Sequence, residues 1–336
     1  LDKTPKDRLY PDVYFKTEDE LRLFTNQFYN NLVPSAVDIY SESSDLIVKS
    51  DLMLEMSGQR IIPDEGNGWN FTALRDINFY LQYSHNCTEV NARNRYDGVA
   101  RFFRAYFYFE KVKRYGDIPW YDKALDSDDP ELYKARDSRE FVMQKMLEDL
   151  DFAIANLPKT KNAYVLTRWT ALALKSRVCL FEGTFRKYHG LEDCEKYLNA
   201  CVSASETFMN ESGYTLYKSG STPYRDLFAS INLQADEVIF GRDYEASLSV
   251  LHNVQNYENS TTMGRPGMNK KIVNSYLMAD GSRFTDKAGY ETMTFDQECQ
   301  NRDPRLAQTI RTPGYTRIGS TKKEAPNLAY TMTGYH

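Results

Sequence analysis

Residues 101–109 are Arg-Phe-Phe-Arg-Ala-Tyr-Phe-Tyr-Phe, which places an aromatic ring at nearly every turn of a helix predicted to run from Asp97 to Tyr115. The charged residues of this helix fall on one narrow stripe, which consists of Arg101, Arg104, Lys111 and Arg114. A helix with so little polar surface is buried on most of its sides. Gly116 ends the helix and Pro119 prevents it from resuming. The segment therefore predicts a core helix in a mainly α-helical fold.

Amphipathic patterns on both sides of this segment predict a repeated helical arrangement. The helical period marks further helices over about 18–32, 139–157, 167–180 and 194–208. Thr17 and Thr167 are predicted N-caps, and Pro158 ends the second of these helices. The helices form two pairs, about 97–157 and 167–209, with a long insertion from Gly116 to Arg136 inside the first. Because one pair alone leaves apolar faces uncovered, we expect the pairs to stack as in tetratricopeptide-type proteins.

The helical period fades beyond residue 215, and the C-terminal part is predicted to be rich in loops. Val238–Phe240 is a short apolar run that predicts a buried strand, and a helix is expected at about 269–277. The stretch between them, 241–271, is polar and rich in Asn and Gly. A long irregular stretch of this kind inside a compact protein is usually functional or flexible.

The composition excludes several classes of protein. The chain has 336 residues, 26% of them charged and 41% hydrophobic, and its net charge is −5. This is the composition of a folded protein, and no apolar run reaches the roughly 20 residues of a membrane-spanning helix. Lys and Arg are scattered, whereas a nucleic-acid-binding protein needs a basic face. The 25 tyrosines stand out, because a ring with a polar tip suits a wet, amphipathic binding surface.

No cofactor, metal or catalytic motif is present in the sequence. It lacks a phosphate loop, a His-Glu-x-x-His helix, a nucleophile elbow and a dinucleotide fingerprint. Asp126–Asp129 has oxygen atoms for Ca²⁺ but lacks the Gly and terminal Glu of a calcium loop, so we interpret it as a solvated acidic turn. The five cysteines have no zinc spacing and are interpreted as small core residues. We therefore expect neither an enzyme nor a cofactor.

The segment from Arg101 to Phe109, continued by Tyr115-Gly116-Asp117-Ile118-Pro119, resembles the SusD/RagB family. Members of that family are surface lipoproteins of glycan-scavenging Gram-negative bacteria. Further matches occur in the family's order: Trp69 with Asn78, Ala171–Leu180, Asp236–Phe240, Tyr276–Gly281 and Arg302–Leu306. Together these matches extend over most of the chain, which makes the resemblance fairly specific.

The resemblance implies a mainly α-helical fold of tetratricopeptide-like helix pairs with a loop-rich, ligand-binding half that contains short strands. Residues 1–336 are expected to form one SusD-like domain that lacks its C-terminal part, with helix pairs over 97–209 and loops over 210–336. The family resemblance also implies a location at the cell surface, on the outer membrane. The anchor would be a lipidated Cys that precedes Leu1 and is absent here. The implied partner is a SusC-type TonB-dependent transporter.

Sugar recognition needs a flat apolar ring and nearby polar groups, and such residues are expected on loops. The candidate ligand-binding residues are Asp45, Asp51, Trp69, Asn253, Tyr257 and Arg265. Trp69 follows a Gly-rich loop but also begins an apolar stripe, so it either faces the ligand or anchors its helix in the core. Asp45 and Asp51 could equally cap helices or be solvated.

The function that these observations favour is non-catalytic capture of oligosaccharides at the cell surface for import through the transporter. Two alternatives stay open at this point: a peptide-binding member of the same family, and a helical-repeat scaffold that binds only proteins. A hydrolase would need a pair of carboxylates, and nothing in the sequence singles one out.

Overall fold

The computed structural model describes residues 13–35, 46–48, 54–63, 68–252, 254 and 267–324. Its α-helices, in chain order, are α1 Glu18–Leu32, α2 Leu54–Ser57, α3 Thr72–Tyr83, α4 Val90–Tyr115, α5 Arg139–Asn156, α6 Arg168–Tyr188, α7 Cys194–Glu211, α8 Pro223–Ala229, α9 Lys270–Ser275, α10 Phe295–Glu298 and α11 Pro304–Thr309. Short 3₁₀ helices occur at Ser84–Asn86, Pro130–Tyr133, Ala246–Leu248, Phe284–Asp286 and Tyr290–Thr292. The mainly α-helical fold predicted from the sequence is confirmed.

The strands are few and short. β1 (Ile47–Val48) pairs antiparallel with β2 (Gly267–Met268), so that Ile47 lies opposite Met268. The described residues form two compact units, one of 13–33, 68–215 and 235–242, and a second that holds the remainder. The organisation of residues 1–336 as a single domain stays a prediction.

Local sequence signals place most helix ends in the first unit. Thr17 and Thr167 each form a capping box: the threonine side chain accepts a hydrogen bond from the backbone of the third helical residue, and the threonine backbone N–H donates one to the side chain of that residue. At the other end, α4 stops at Gly116, whose φ of 71° an L-amino acid rarely adopts. These helix boundaries agree with the sequence analysis.

The helix α4 begins at Val90, seven residues before the predicted start at Asp97. Glu89 forms no side-chain cap there, so the sequence carries no local signal for this end. Tertiary contacts stabilise the extra turns instead: Tyr96 is buried, and Arg95 forms an ion pair with Glu18 of α1 at 3.3 Å. The start of α4 is therefore set by its neighbour.

The aromatic face of α4 forms the centre of the first unit's core. Phe103 contacts Phe28 of α1 at a ring distance of 6.2 Å, and Phe109 contacts Phe181 of α6 at 5.5 Å. Helices α1, α3 and α5 all pack against α4. Each fully buried Phe contributes about 1.5–3 kcal/mol relative to exposure. The prediction that α4 is buried on most sides is confirmed.

The predicted strand at Val238–Phe240 is wrong. These residues are half-buried and pair with no strand in the part of the chain that the structure describes. Ile239 packs against the small cluster that Trp169, Leu172 and Ala204 form between α6 and α7, and the ring of Phe240 lies 6.2 Å from that of Tyr29 in α1. The apolar run is thus buried by helices, and its hydrophobicity gave no information on strand pairing.

The second unit contains a buried arginine at its centre. Arg302 donates hydrogen bonds to the carbonyl groups of Val273 (2.7 Å), Tyr276 (2.8 Å) and Glu298 (2.9 Å), and its guanidinium lies 3.9 Å from the ring centre of Phe284. These bonds join α9, which is the helix predicted at 269–277, to the turn that precedes α11. One side chain thereby organises several short elements.

No helix within the described ranges is long and apolar enough to cross a membrane.

Candidate functional site

The structure describes only one of the six predicted ligand-binding residues, Trp69. The others lie outside the described residues: Asp45, Asp51, Asn253, Tyr257 and Arg265. Their role in ligand binding stays a prediction.

Trp69 is 40% exposed, so it does not anchor its helix in the core. It lies between Gly68, whose φ is 88°, and the start of α3. Its indole meets Phe71 edge-on at 5.3 Å and Tyr115 at 4.9 Å, and the guanidinium of Arg136 lies 4.9 Å from its ring centre. These contacts hold the indole in one orientation while a large part of it faces solvent.

Trp69 lines a cavity of about 610 Å³, which is within the range of about 300–1,000 Å³ typical of ligand pockets. One wall is α3 with the three residues that precede it, and the other is the connection between α4 and α5. The lining residues are Trp69, Phe71, Thr72, Leu74, Arg75, Asn78, Pro119, Tyr121, Lys123, Leu125, Leu132, Lys134, Ala135 and Arg136. The cavity therefore lies wholly within the first unit.

The two walls are joined by Asn78, a buried polar residue on the inner face of α3. Its amide nitrogen donates to the carbonyl of Tyr121 at 2.8 Å and to that of Lys123 at 3.2 Å. Its amide oxygen accepts a hydrogen bond of 3.2 Å from Arg104 of α4. Each polar atom of Asn78 has a partner, so its hydrogen bonds offset the cost of desolvation while the side chain fixes the distance between the walls.

Arg104 is held in turn by Asp149 of α5. Two hydrogen bonds of 2.7 Å run from the guanidinium to the two carboxylate oxygens. Burial alone would lower the pKa of Arg104, but the hydrogen bonds and charge of Asp149 raise it above its usual value. A polar chain thus connects the bundle interior to the cavity wall.

The connection between α4 and α5 is anchored at both ends. The hydroxyl of Tyr108 accepts a hydrogen bond of 2.6 Å from the backbone of Tyr121, and burial raises the pKa of Tyr108. The ring of Tyr108 stacks on Trp120 at 4.3 Å. At the far end, the carboxylate of Asp137 accepts from the Trp120 backbone at 2.7 Å, and its carbonyl accepts from Ile118 at 3.1 Å. The wall of the cavity is therefore rigidly attached to the bundle.

The charged residues of the described lining are all cations: Arg75, Lys123, Lys134 and Arg136. Lys123 forms ion pairs with Asp129 at 3.3 Å and Glu131 at 3.0 Å, which lie beside the cavity. Lys134 pairs with Asp137 at 2.9 Å. The two lysines are thus neutralised by neighbouring carboxylates.

The acidic turn at Asp126–Asp129 acts as a cap. Asp129 accepts a hydrogen bond of 2.9 Å from the backbone of Glu131 and so begins the 3₁₀ helix Pro130–Tyr133. Its pKa is lowered by that bond and by Lys123. Within the described ranges, no group of three or more His, Cys, Asp or Glu side chains is arranged to hold a metal ion.

The sequence analysis identified Trp69 but not the opposite wall of the cavity. The length of the Gly116–Arg136 insertion was a signal, because long irregular stretches often carry function. A second signal was Asn78, a polar residue within the apolar stripe of α3. The partners of Asn78 lie 43 and 45 residues further along the chain, so their proximity is invisible in local sequence.

Comparisons with known proteins give two family matches. Residues 56–168, which include every lining residue, match a SusD-like family model described as starch-binding and associating with the outer membrane. Residues 205–336 match the model of the SusD family. A curated relative, the SusD-like protein P38 of Formosa agariphila, is 29% identical over 87 residues, which are 26% of this chain and 17% of that protein.

Solved structures show the same fold. A SusD-like carbohydrate-binding protein from Bacteroides fragilis has a TM-score of 0.68 at 17% identity, over 94% of this chain and 63% of its own. Another SusD-like protein from Bacteroides fragilis has a TM-score of 0.63 at 20% identity, over 91% of this chain and 62% of its own. The chain therefore spans less than two thirds of the length of these relatives.

Proposed function

We propose, because the chain belongs to the SusD/RagB family, that it is a non-catalytic binding protein that captures oligosaccharides. The observation that carries this proposal is the exposed indole of Trp69 beside a preformed cavity of about 610 Å³. An indole covers the C–H face of a sugar ring, and the guanidinium groups of the lining can bond its hydroxyl groups.

The proposed role extends to cargo delivery. We propose that the protein is a lipid-anchored resident of the outer membrane and hands its ligand to a SusC-type TonB-dependent transporter. The residues Asp45, Asp51, Asn253, Tyr257 and Arg265 remain proposed ligand contacts in addition to Trp69. The support for this role is family membership, since the matched model is described as associating with the outer membrane.

The test of ligand binding is calorimetry with the full chain against a panel of neutral and acidic oligosaccharides. We expect at least one glycan to bind, and Trp69→Ala to weaken it about tenfold or more, which corresponds to about 1.4 kcal/mol. Tyr188→Ala is the matched control, because Tyr188 is an exposed ring on α6, which supplies no residue to the cavity lining. Binding of peptides and of no glycan would contradict the proposal and favour the peptide-binding alternative.

The test of delivery is affinity purification of the protein from outer membranes solubilised in mild detergent. Copurification of a TonB-dependent transporter is the expected result. A protein that separates from the outer-membrane fraction, or that brings down no transporter, would contradict this part of the proposal and leave glycan binding to be judged by calorimetry.

A further inference from the structure

The cavity has a charge opposite to that of the whole chain. The chain carries a net charge of −5, yet the described lining contains four cations and no carboxylate. A concave site lined by one sign of charge concentrates the field and attracts ligands of the opposite sign. Carboxylates beside the lining can cancel the field of an individual cation, as they do for Lys123 and Lys134.

Arg75 and Arg136 differ from the two lysines of the lining, because their guanidinium groups bond to backbone carbonyls and not to carboxylates. Arg75 donates from Nε to the carbonyl of Leu125 at 3.2 Å, and Arg136 donates from Nη1 to the carbonyl of Tyr115 at 3.5 Å. In the part of the chain that the structure describes, neither guanidinium pairs with a carboxylate. Asp76 follows Arg75 in α3 and the two charges attract each other, but Asp76 does not line the cavity.

Most of the hydrogen-bonding capacity of both arginines is unused. A guanidinium has five N–H donors in a rigid planar fork, and these hydrogen bonds use one donor of each arginine. Both side chains are exposed, so their remaining donors are accessible to a ligand. The contact of Arg136 with the indole of Trp69 holds that guanidinium beside the proposed sugar-stacking surface.

The start of α3 adds a weaker contribution of the same sign. Phe71 and Thr72 line the cavity, so the positive end of the helix dipole lies at its wall. The first turn of α3 contains no acidic residue that would offset this dipole. Asn70 accepts a hydrogen bond of 2.8 Å from the Thr72 backbone, which satisfies that amide with a neutral group.

We infer that the cavity selects acidic oligosaccharides, in which a carboxylate or sulfate group of a sugar unit is bound by Arg75 and Arg136 while a ring stacks on Trp69. This inference rests on the proposed function and names its substrate class. Arginine suits the task because its planar fork matches the paired oxygens of a carboxylate or sulfate, and charge-assisted bonds of this kind are roughly twice as strong as neutral ones.

The experiment compares ligands that differ only in charge. Oligogalacturonides are measured against their methyl esters, and a chondroitin sulfate oligosaccharide against its desulfated form, with neutral malto-oligosaccharides as a third arm. We expect an acidic member to bind about tenfold or more tightly than its less charged partner. Preference for the free acid over its methyl ester identifies a carboxylate ligand, and preference for the sulfated form identifies a sulfate ligand. Increasing salt should reduce the preference.

Single substitutions test whether the two arginines cause the preference for acidic ligands. Arg75→Gln and Arg136→Gln should each reduce binding of the acidic ligand, whereas Lys187→Gln should not. Lys187 is exposed on α6, which does not contribute to the lining, so this control removes the same charge elsewhere. Thermal melts of all three variants confirm that they are folded, and the salt dependence provides a readout that a mere loss of fold would not reproduce.

The outcomes separate the inference from the proposed function. If neutral glycans bind at Trp69 and acidic members bind no more tightly than their partners, the inference is overturned and glycan capture stands. An acid preference that survives both arginine substitutions also overturns it. If no glycan of any charge binds, the proposed function fails and the inference falls with it.

Discussion

Arg104 of α4 and Asp149 of α5 meet through two parallel hydrogen bonds of 2.7 Å, Nε to Oδ2 and Nη2 to Oδ1, although both side chains are buried. The third donor of Arg104 reaches Asn78 at the cavity wall. A buried ion pair contributes less to stability than its geometry suggests, because both charges lose their hydration. Removing one partner of such a pair is costly, however, because the other charge is left buried without a counter-ion. This loss of stability can be measured.

Asp149→Ala is expected to lower the free energy of unfolding by about 3–5 kcal/mol, because it leaves the guanidinium of Arg104 buried without its counter-ion. Urea unfolding monitored by circular dichroism measures the change. The control is Asp151→Ala on the same helix: Asp151 is exposed and pairs with Lys175, so the cost should be about 1 kcal/mol or less. Equal costs for the two variants would contradict the assignment.

Asn78→Ala and Asp149→Ala are expected to be coupled, because both residues bond to Arg104. Each variant alone disrupts the same guanidinium, so the double variant should cost less than the sum of the two by about 0.5–3 kcal/mol. A double-mutant cycle in urea measures this coupling. Additive costs would show that Asn78 and Asp149 act independently. Asn78→Ala should also weaken glycan binding, since it releases the Tyr121 and Lys123 carbonyls.

Gly116→Ala is expected to destabilise the protein by about 1–3 kcal/mol, because φ of 71° and ψ of −114° form a strained conformation for a residue with a Cβ. No atom lies within 4 Å of the position of that Cβ, so backbone strain is the only cost. Gly98→Ala, also in α4, provides a contrast: its Cβ would meet Leu157 at 3.4 Å, and the better helix propensity of Ala should stabilise by up to about 1 kcal/mol. Thermal melts measure both, and destabilisation by Gly98→Ala would contradict this prediction.

Asp97→Asn is expected to stabilise the protein at pH 7. Burial raises the pKa of Asp97 above its usual value, with partial compensation from the Ser84 hydroxyl. The ionised form is therefore less stable in the folded state than in the unfolded chain, whose Asp pKa is about 3.9. When the pH falls below the pKa that Asp97 has in the folded protein, the wild-type side chain becomes protonated and neutral. The difference in unfolding free energy between Asp97→Asn and the wild type therefore disappears as the pH approaches the pKa of the unfolded chain. Urea titrations from pH 8 to pH 4 measure this; an advantage independent of pH would contradict it.

Cys179 is expected to resist alkylation in the folded protein. Burial raises the pKa of its thiol to about 12, so the reactive thiolate at pH 8 is only ~10⁻⁴ of the total, against about a quarter for a free cysteine. Peptide mass spectrometry after timed iodoacetamide treatment measures the rate, with the half-buried Cys194 as the internal reference. Both should react alike in urea. Equal rates in the folded state would contradict the burial of Cys179.

Local chemistry made a large part of the fold predictable. The N-caps predicted at Thr17 and Thr167 identified the starts of α1 and α6, because their hydrogen bonds involve residues only three apart. Gly116 and Pro158 identified the ends of α4 and α5 for an equally local reason. Glycine permits a positive φ, whereas proline fixes φ and has no backbone N–H to continue the helix. The aromatic density at 101–109 identified the core helix.

Features that depend on distant partners were not predictable. The first turns of α4 are held by α1, and the run Val238–Phe240 is covered by helices instead of pairing in a sheet. The cavity depends on the pairing of Asn78 with carbonyl groups more than forty residues away. The exposure of Trp69 agrees with its place after a Gly-rich loop, which is a local signal, and its role in ligand binding stays a prediction.

The attachment of the α4–α5 connection at Tyr108 and Asp137 has a consequence for how this protein can change. Leu125 lies between these anchors and packs in the main core, but the other lining residues there, Lys123, Leu132, Lys134 and Ala135, have exposed or half-buried side chains. Substitutions or grafted segments there are expected to alter ligand preference with little loss of folding. If Asn78 and Leu125 are kept, the remaining lining residues can vary with little effect on the architecture, so the same scaffold can be adapted to a new nutrient by exchanging a short surface segment.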